Sequence, residues 1–174
     1  RVRSSAASDV YKRQVYNKRL FDPALGGGSL YDLGIYPLEV LPYLVDEKIL
    51  DMDAFVARNS TGVDDLVSMN LQLESCIANL QCSFTTKMPE DAYIYGEDGY
   101  IRLPKMHFGS RAELYNSADE CIDSFDSGEE NGFVYEVAEI VRCIENGLLE
   151  SPICPHQMTI DAARITSEVL HLNP

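Results

Sequence analysis

Apolar and polar residues alternate strictly through the middle of this 174-residue chain. Single polar residues separate four apolar ones, which are Val67, Met69, Leu71 and Leu73. A second alternating run extends from Cys76 to Phe84 and places Cys76 and Cys82 on its apolar face, which predicts that both are core residues. A period of two is typical of strands that bury one face. We therefore predict a hairpin that turns near Glu74 and Ser75.

Further strands are predicted on the C-terminal side of this hairpin. Residues 92–95 and 100–103 flank Gly96-Glu-Asp-Gly99, a polar turn bounded by glycines that favours a second hairpin. Weaker strand patterns lie at 106–108, 112–115 and 121–125. The sequence thus predicts a large, mostly antiparallel sheet.

Helical spacing of apolar residues appears on both sides of the strands. It begins at Leu30, at Phe133 and at Met158. Ser29 is placed to cap the first of these helices, and Pro37 and Pro42 should kink or break it. The order of helix, antiparallel strands and helices predicts an α+β fold, with helices packed on one face of an open-faced sheet.

Candidate chemistry is concentrated between Gly26 and Tyr36, where three consecutive glycines lead into the first predicted helix. Glycines allow a ligand to approach the backbone closely. Asp32 and Tyr36 lie four residues apart, so they share one face of the helix. Taken alone, two such residues are more often the solvated face of an amphipathic helix.

Charge and composition exclude several classes of partner. The formal net charge of −14 argues against nucleic acid and against an anionic membrane surface. No apolar run approaches the ~18 residues that a membrane span needs. Five cysteines without a CxxC pair indicate reduced thiols and a cytoplasmic protein.

No metal site is predicted. His107, His156 and His171 lie far apart in the sequence and are best interpreted as ordinary surface or core residues. The neighbouring carboxylates Asp64 and Asp65 are interpreted as part of a solvated turn rather than as a catalytic pair.

Together with Arg19-Leu-Phe-Asp-Pro23, the glycine segment resembles the signature that opens the second domain of the Gfo/Idh/MocA oxidoreductases. The similarity covers most of residues 15–174, and Tyr95–Pro104 fits the strand-turn-strand of that family. Members have a Tyr or a His four residues after the Asp of the motif. Tyr36 at that position resembles the dihydrodiol, glucose-fructose and xylose enzymes of the family.

The resemblance implies an NAD(P)-dependent oxidoreductase that transfers hydride between nicotinamide and a sugar or a cyclic diol. Tyr36 is then the acid/base and Asp32 its orienting partner. Gly27 and Gly28 are expected to border the substrate. Arg19 is a candidate for contact with a substrate oxygen or a cofactor phosphate, and an exposed surface role is the alternative. The cofactor, NADP or NAD, supplies the hydride chemistry, and the protein supplies position and proton handling.

The same resemblance implies that this chain is the C-terminal part of the enzyme. No G-x-G-x-x-G follows a strand, so we expect the Rossmann domain and its catalytic lysine to be absent and the isolated fragment to be inactive. The family uses the open face of the sheet as a subunit interface, which implies a homodimer.

The first residues are unusual for such a domain. Residues 1–14 (RVRSSAASDVYKRQ) are similar to translated adapter sequence and are predicted to be non-native, which leaves 15–174 as the substrate-binding and dimerisation domain. The alternative function is a non-catalytic α+β module that binds a carbohydrate or a protein.

Overall fold

The computed structural model describes residues 18–129 and 131–172. These residues form two compact units, one made of residues 18–88 and 155–172 and the other of residues 89–154. The segment 1–14, predicted to be non-native, lies outside the described residues. No helix in the described ranges is both long enough and apolar enough to cross a bilayer.

The elements of the described residues confirm the α+β class. They are two 3-10 turns (Lys18–Phe21 and Pro23–Leu25), a π-helical turn (Leu30–Gly34), α1 (Ile35–Leu44), β1 (Asp51–Arg58), β2 (Asp64–Gln72), β3 (Ile77–Ser83), β4 (Ala92–Tyr95), β5 (Gly99–Leu103), β6 (Arg111–Asn116), β7 (Cys121–Asp126), α2 (Phe133–Glu145) and α3 (His156–Leu172).

The first unit has helices on one face of an antiparallel sheet of strand order β1-β2-β3. Met69 at the centre of β2 lies opposite Ala54 on β1 and Leu80 on β3, so the inner face is apolar across all three strands. This face packs against α1, α3 and the π turn. The buried core consists of Leu30, Leu38, Leu41, Val67, Met69, Leu71, Leu73, Cys82, Ala162, Ile165 and Val169.

The alternation of β2 and β3 is confirmed, with one exception at the hairpin. Cys82 is buried as predicted, but Cys76 is exposed. The physical reason is that β3 begins at Ile77, so Cys76 belongs to the turn, where its carbonyl accepts a hydrogen bond from the amide of Leu73 at 2.9 Å.

The sequence predicts a kink or a break at the prolines, and the break is wrong. α1 runs from Ile35 to Leu44 through both Pro37 and Pro42. The irregularity lies earlier instead, because the π turn gives way to α-helix at Gly34, just before the first proline. A π turn inside a helix is rare and is often found at functional sites.

The second unit contains the other strands as a four-stranded antiparallel meander of order β4-β5-β6-β7, together with α2. The strands therefore form two sheets, where the sequence pattern was interpreted as one. One reason is that β3 ends at Ser83, whose hydroxyl accepts hydrogen bonds from the amides of Thr85 (3.0 Å) and Thr86 (2.9 Å) and so turns the chain out of the sheet. The strand predicted at 106–108 is wrong, since these residues form a turn.

Tyrosine rings on the second sheet contact one another across three strands. Tyr95 lies opposite Tyr100, and Tyr100 lies opposite Tyr115, with 4.8 Å between the ring centroids of the latter pair. On the same strands, Arg102 forms ion pairs with Asp91 at 2.7 Å and with Glu113 at 3.4 Å. Arg102 thus pairs with two carboxylates, one on β6 and one just before β4.

Candidate active site

The glycine segment folds back onto the 3-10 turn that precedes it. The amide of Gly28 donates to the carbonyl of Leu20 at 3.0 Å, and the amide of Gly27 donates to the carbonyl of Asp22 at 3.0 Å. Because both donors are used inside the chain, the segment is a closed turn. It brings Arg19, at the start, beside the helix that begins after the glycines.

Both predicted substrate-contact glycines are packed against the chain's own atoms. A Cβ on Gly27 would lie 2.7 Å from the carbonyl oxygens of Arg19 and Leu20. A Cβ on Gly28, whose φ is +132°, would lie 2.1 Å from Oδ1 of Asp64. The geometry therefore accounts for these glycines by close packing, and a ligand contact by either stays a prediction.

Arg19 and Asp32 form a salt bridge in which Nη2 of Arg19 donates to Oδ1 of Asp32 at 2.9 Å. The two side chains are 52% and 27% exposed, so the pair faces solvent. An exposed pair of this kind is worth only about 0.2–1 kcal/mol of stability. The main consequence of the salt bridge is that Arg19 fixes the orientation of the Asp32 carboxylate.

Tyr36 lies on the same helix, one turn after Asp32, and its side chain is 41% exposed. Asp32 belongs to the π turn and Tyr36 to α1, which continues from it without interruption. The structure thus pairs two of the predicted site residues, Arg19 and Asp32, and places the exposed Tyr36 four residues after Asp32 on the continuous helix. A solvent-facing carboxylate and phenol can bind a hydroxyl group and exchange a proton with it.

A fourth residue, Asp64, was missed by the sequence analysis. It is only 1% exposed, so its interpretation as part of a solvated turn is wrong. Its Oδ2 accepts hydrogen bonds from the hydroxyl of Ser29 at 2.9 Å and from the amide of Leu30 at 2.7 Å. Ser29 occupies the predicted N-cap position, but its side chain makes no capping hydrogen bond because it donates to Asp64. The Asp64 carboxylate accepts the amide of Leu30 instead.

Strand β3 packs against the start of the helix through Cys82. Sγ of Cys82 contacts Oγ of Ser29 at 3.6 Å, and burial raises the pKa of the Cys82 thiol to about 11. Gly34 permits this approach, since a Cβ there would lie 3.2 Å from the same sulfur and 2.4 Å from Cδ1 of Leu30. Cys82 is thus a neutral packing residue.

We also searched the described residues for metal-ligand clusters and for ligand pockets. Within the described ranges, no three His, Cys, Asp or Glu side chains come together as metal ligands. A depression of about 140 Å³ lies between β1 and α3, lined by Met52, Asp53, Ala54, Val169 and Leu172. Drug-sized ligands usually occupy ~300–1,000 Å³, so this depression is too small for one.

Comparison with known proteins identifies the fold family. The model of the GFO/IDH/MocA C-terminal domain matches residues 2–102, which is more than half of the chain. This chain belongs to that family. The resemblance carried by Arg19–Pro23 and Gly26–Tyr36 is thereby confirmed.

Relatives of this Gfo/Idh/MocA chain include trans-1,2-dihydrobenzene-1,2-diol dehydrogenase of Mus musculus, which is 30% identical over 137 residues, or 74% of this chain and 41% of that protein. The crystal structure of an aldose-aldose oxidoreductase from Caulobacter crescentus, complexed with glycerol, superposes with a TM-score of 0.72 at 20% identity, over 89% of this chain and 48% of that one. The chain spans about half the length of the relatives it matches.

A third comparison concerns the cofactor. A 3-ketoreductase from Actinomadura kijaniata, in a variant solved with TDP-benzene and NADP, superposes with a TM-score of 0.62 at 16% identity, over 82% of this chain and 46% of that one. In the present chain, a Cβ at Gly27 would meet backbone atoms and a Cβ at Gly28 would meet the carboxylate of Asp64, so the α-carbons of these two glycines leave no space for a dinucleotide.

Proposed function

We propose that this chain is the substrate-side domain of an NAD(P)-dependent oxidoreductase that acts on a sugar or a cyclic diol. The observation that carries the proposal is the arrangement of Arg19, Asp32 and Tyr36 at the start of one helix, with the Asp32 carboxylate held by Arg19 at 2.9 Å. Membership of the Gfo/Idh/MocA family and the names of the relatives support an oxidoreductase. The dihydrodiol dehydrogenases support a diol, and the aldose enzyme supports a sugar.

Each of the three residues has a proposed role in proton handling. Tyr36, as its phenolate, takes the hydroxyl proton of the alcohol and becomes the phenol, and in the reverse direction it returns that proton. Asp32 accepts a hydrogen bond from a substrate hydroxyl and so orients the carbinol carbon. Arg19 fixes Asp32 and, being half exposed, can also donate to a substrate oxygen. When bound, NADP or NAD exchanges hydride with that carbon.

The proposed role of Gly27 and Gly28 is to shape the turn beside the site. Their lack of side chains lets the turn close against Asp64 and the 3-10 turn. We propose that this closure leaves the backbone beside Asp32 open to a substrate.

The proposal is tested by expressing the whole protein to which this chain belongs and assaying it with trans-dihydrodiols and aldoses in the presence of NADP⁺ or NAD⁺. Reduction of the nicotinamide with one of these alcohols is the expected result. If calorimetry shows sugar binding and no alcohol is oxidised, the non-catalytic binding module replaces the enzyme.

We also propose that the protein is a homodimer in the cytoplasm. In the first unit, the sheet face opposite the helices exposes two large apolar side chains, Phe55 (76%) and Ile77 (74%). Light scattering should give twice the monomer mass, and Phe55→Lys should lower it. Leu149→Lys, at a 98% exposed apolar residue of the second unit, is the control that should not. The five cysteines are unpaired in the structure, which fits a reducing compartment.

A further inference from the structure

We infer that Asp64 is a positioning residue of this site, which sets the direction of the Asp32 and Tyr36 side chains by holding the first residues of their helix. The inference rests on the proposed function, because only there do those two directions matter for turnover. Asp64 lies at the first position of β2 and acts on the helix through its hydrogen bonds with Ser29 and Leu30.

The contact between Asp64 and the helix start is buried and specific. One oxygen, Oδ2, accepts both the hydroxyl of Ser29 and the amide of Leu30. Asp64 and Ser29 are 1% and 0% exposed, so water does not substitute for either partner. A carboxylate at the positive end of a helix is also electrostatically favourable.

Gly28 allows the carboxylate to come this close. Its α-carbon carries no Cβ where Oδ1 of Asp64 lies, at 2.1 Å from the position that a Cβ would take. The carbonyl of Gly28 in turn accepts the amide of Asp32 at 3.3 Å. Asp64 is therefore connected to Asp32 by two routes, through Leu30 and through Gly28.

The contact with Asp64 fixes the start of the π turn that carries Asp32. Leu30 is the first residue of the turn and is fully buried, so its position is fixed both by the core and by Asp64. Asp32 is two residues further on, and Tyr36 follows in the continuous helix. Loss of the anchor lets the turn relax, which rotates both side chains together. Misplacement of reacting groups by about 1 Å can lower turnover ~10²-fold.

The test compares Asp64→Leu, which removes the acceptor and keeps the branched shape of the side chain, with Asp64→Asn, which keeps an oxygen for Ser29 and Leu30. Amide hydrogen exchange is measured on the 174-residue chain. In Asp64→Leu, exchange at Leu30 and Asp32 should accelerate at least ~10-fold relative to the amide of Leu73, which lies just after β2 and donates to the carbonyl of Cys76 in the hairpin turn. In Asp64→Asn it should stay near the parent rate.

Gly28→Ala disturbs the contact between Asp64 and the helix start by adding a Cβ next to the Asp64 carboxylate. It provides the test if Asp64→Leu does not fold. It should accelerate exchange at Leu30. Gly62→Ala is the matched control, since Gly62 also has a positive φ (+91°), but no atom of the described residues lies within 4 Å of the position that its Cβ would take. Gly62→Ala therefore introduces the backbone strain of an alanine at positive φ but no steric clash of its Cβ.

Turnover is the second readout. In the assay of the natural protein, Asp64→Leu should lower kcat roughly 10- to 100-fold at little changed KM, and Asp64→Asn should restore most of it. Glu113→Gln removes another buried carboxylate, in the second unit, and controls for general destabilisation.

The outcomes separate the inference from the proposed function. Unchanged exchange at Leu30 in Asp64→Leu overturns the inference, as does an Asp64→Leu kcat equal to that of Glu113→Gln. If exchange at Leu30 accelerates in Asp64→Leu but the protein oxidises no alcohol, Asp64 does hold the helix start and the proposed dehydrogenase function is wrong.

Discussion

Arg19 and Asp32 are joined by a hydrogen bond of 2.9 Å between Nη2 and Oδ1, although they lie 13 positions apart in the chain. The glycine turn brings them together, because the amide of Gly28 is bonded to the carbonyl of Leu20, next to Arg19. Asp32 therefore has a defined direction on a surface where a carboxylate would otherwise rotate freely.

Removing the guanidinium should change activity more than stability. Arg19→Gln is expected to lower the free energy of unfolding by less than ~1 kcal/mol, since the pair is exposed. It should lower kcat/KM by roughly 10-fold or more because Asp32 loses its orientation. Arg164→Gln is the matched control, as Arg164 forms exposed pairs with Asp161 and Glu168 on α3. Equal loss of activity in both variants would contradict a specific role for Arg19.

Tyr36→Phe removes the proposed acid/base while keeping the ring. Turnover in the assay that tests the proposed function should fall by ~10²–10⁴-fold, the usual contribution of general acid–base catalysis. Steady-state kinetics with the alcohol identified by the assay provides the measurement. Tyr43→Phe, on the same helix and also exposed, should retain parent activity. Near-parent activity of Tyr36→Phe would remove this residue from the mechanism.

The elements with one buried face were predictable from the sequence. In β2, Val67, Met69 and Leu71 are buried and the residues between them are not, so burial itself imposes the period of two. The hairpin at Gly96–Gly99 was predictable because its turn requires glycine, with φ of +156° at Gly99. The division into two sheets was not, since pairing between distant strands leaves no local pattern.

The candidate site was predictable only in part. Asp32 and Tyr36 could be found because their helical spacing and the preceding glycines are local. Asp64 could not, because alternation along β2 places it on the same face as Ser68, which is solvent-accessible, and only the tertiary contact with Ser29 buries it. The partnership of Arg19 with Asp32 likewise depends on the backbone bonds of the closed turn.

Two neighbouring glycines should respond differently to substitution. Gly27→Ala should lower the free energy of unfolding by about 1–3 kcal/mol, because the new Cβ would lie 2.7 Å from two backbone oxygens, which cannot rotate away. Gly26 has φ of +68° and open space around it, and asparagine tolerates this left-handed conformation. Gly26→Asn should therefore cost less than ~1 kcal/mol. Urea unfolding measures both, and a larger loss in Gly26→Asn would refute the packing argument.

The cysteines should fall into two reactivity classes. Cys76, Cys121 and Cys154 are exposed, whereas Cys82 and Cys143 are buried, and burial raises the pKa of both buried thiols. Because the thiolate is the reactive form, a disulfide reagent at neutral pH should modify three thiols quickly and the other two only on unfolding. Spectrophotometric titration with and without denaturant gives the two counts. Rapid modification of all five would show that the core around Cys82 is open.

Acid should weaken the second unit through Glu139. Its carboxylate accepts hydrogen bonds from Nε and Nη2 of Arg142, each at 2.7 Å, and from the hydroxyl of Ser151, which ties the loop after α2 back to that helix. The Arg142 bonds, and then the Ser151 bond, lower the pKa of Glu139 from 4.5 to about 2.

A folded-state pKa below the unfolded value means that this carboxylate stabilises the fold fully above about pH 4.5, and that the stabilisation is lost as the pH falls toward about 2. Glu139→Gln should therefore lower the Tm most above pH 4.5, and the gap to the parent protein should close in that acid range. Ser151→Ala, which removes one donor and keeps the charge, should show a smaller gap of the same shape. Thermal unfolding followed by circular dichroism across this range tests both, and a gap that stays constant down to about pH 2 would exclude Glu139 as the titrating group.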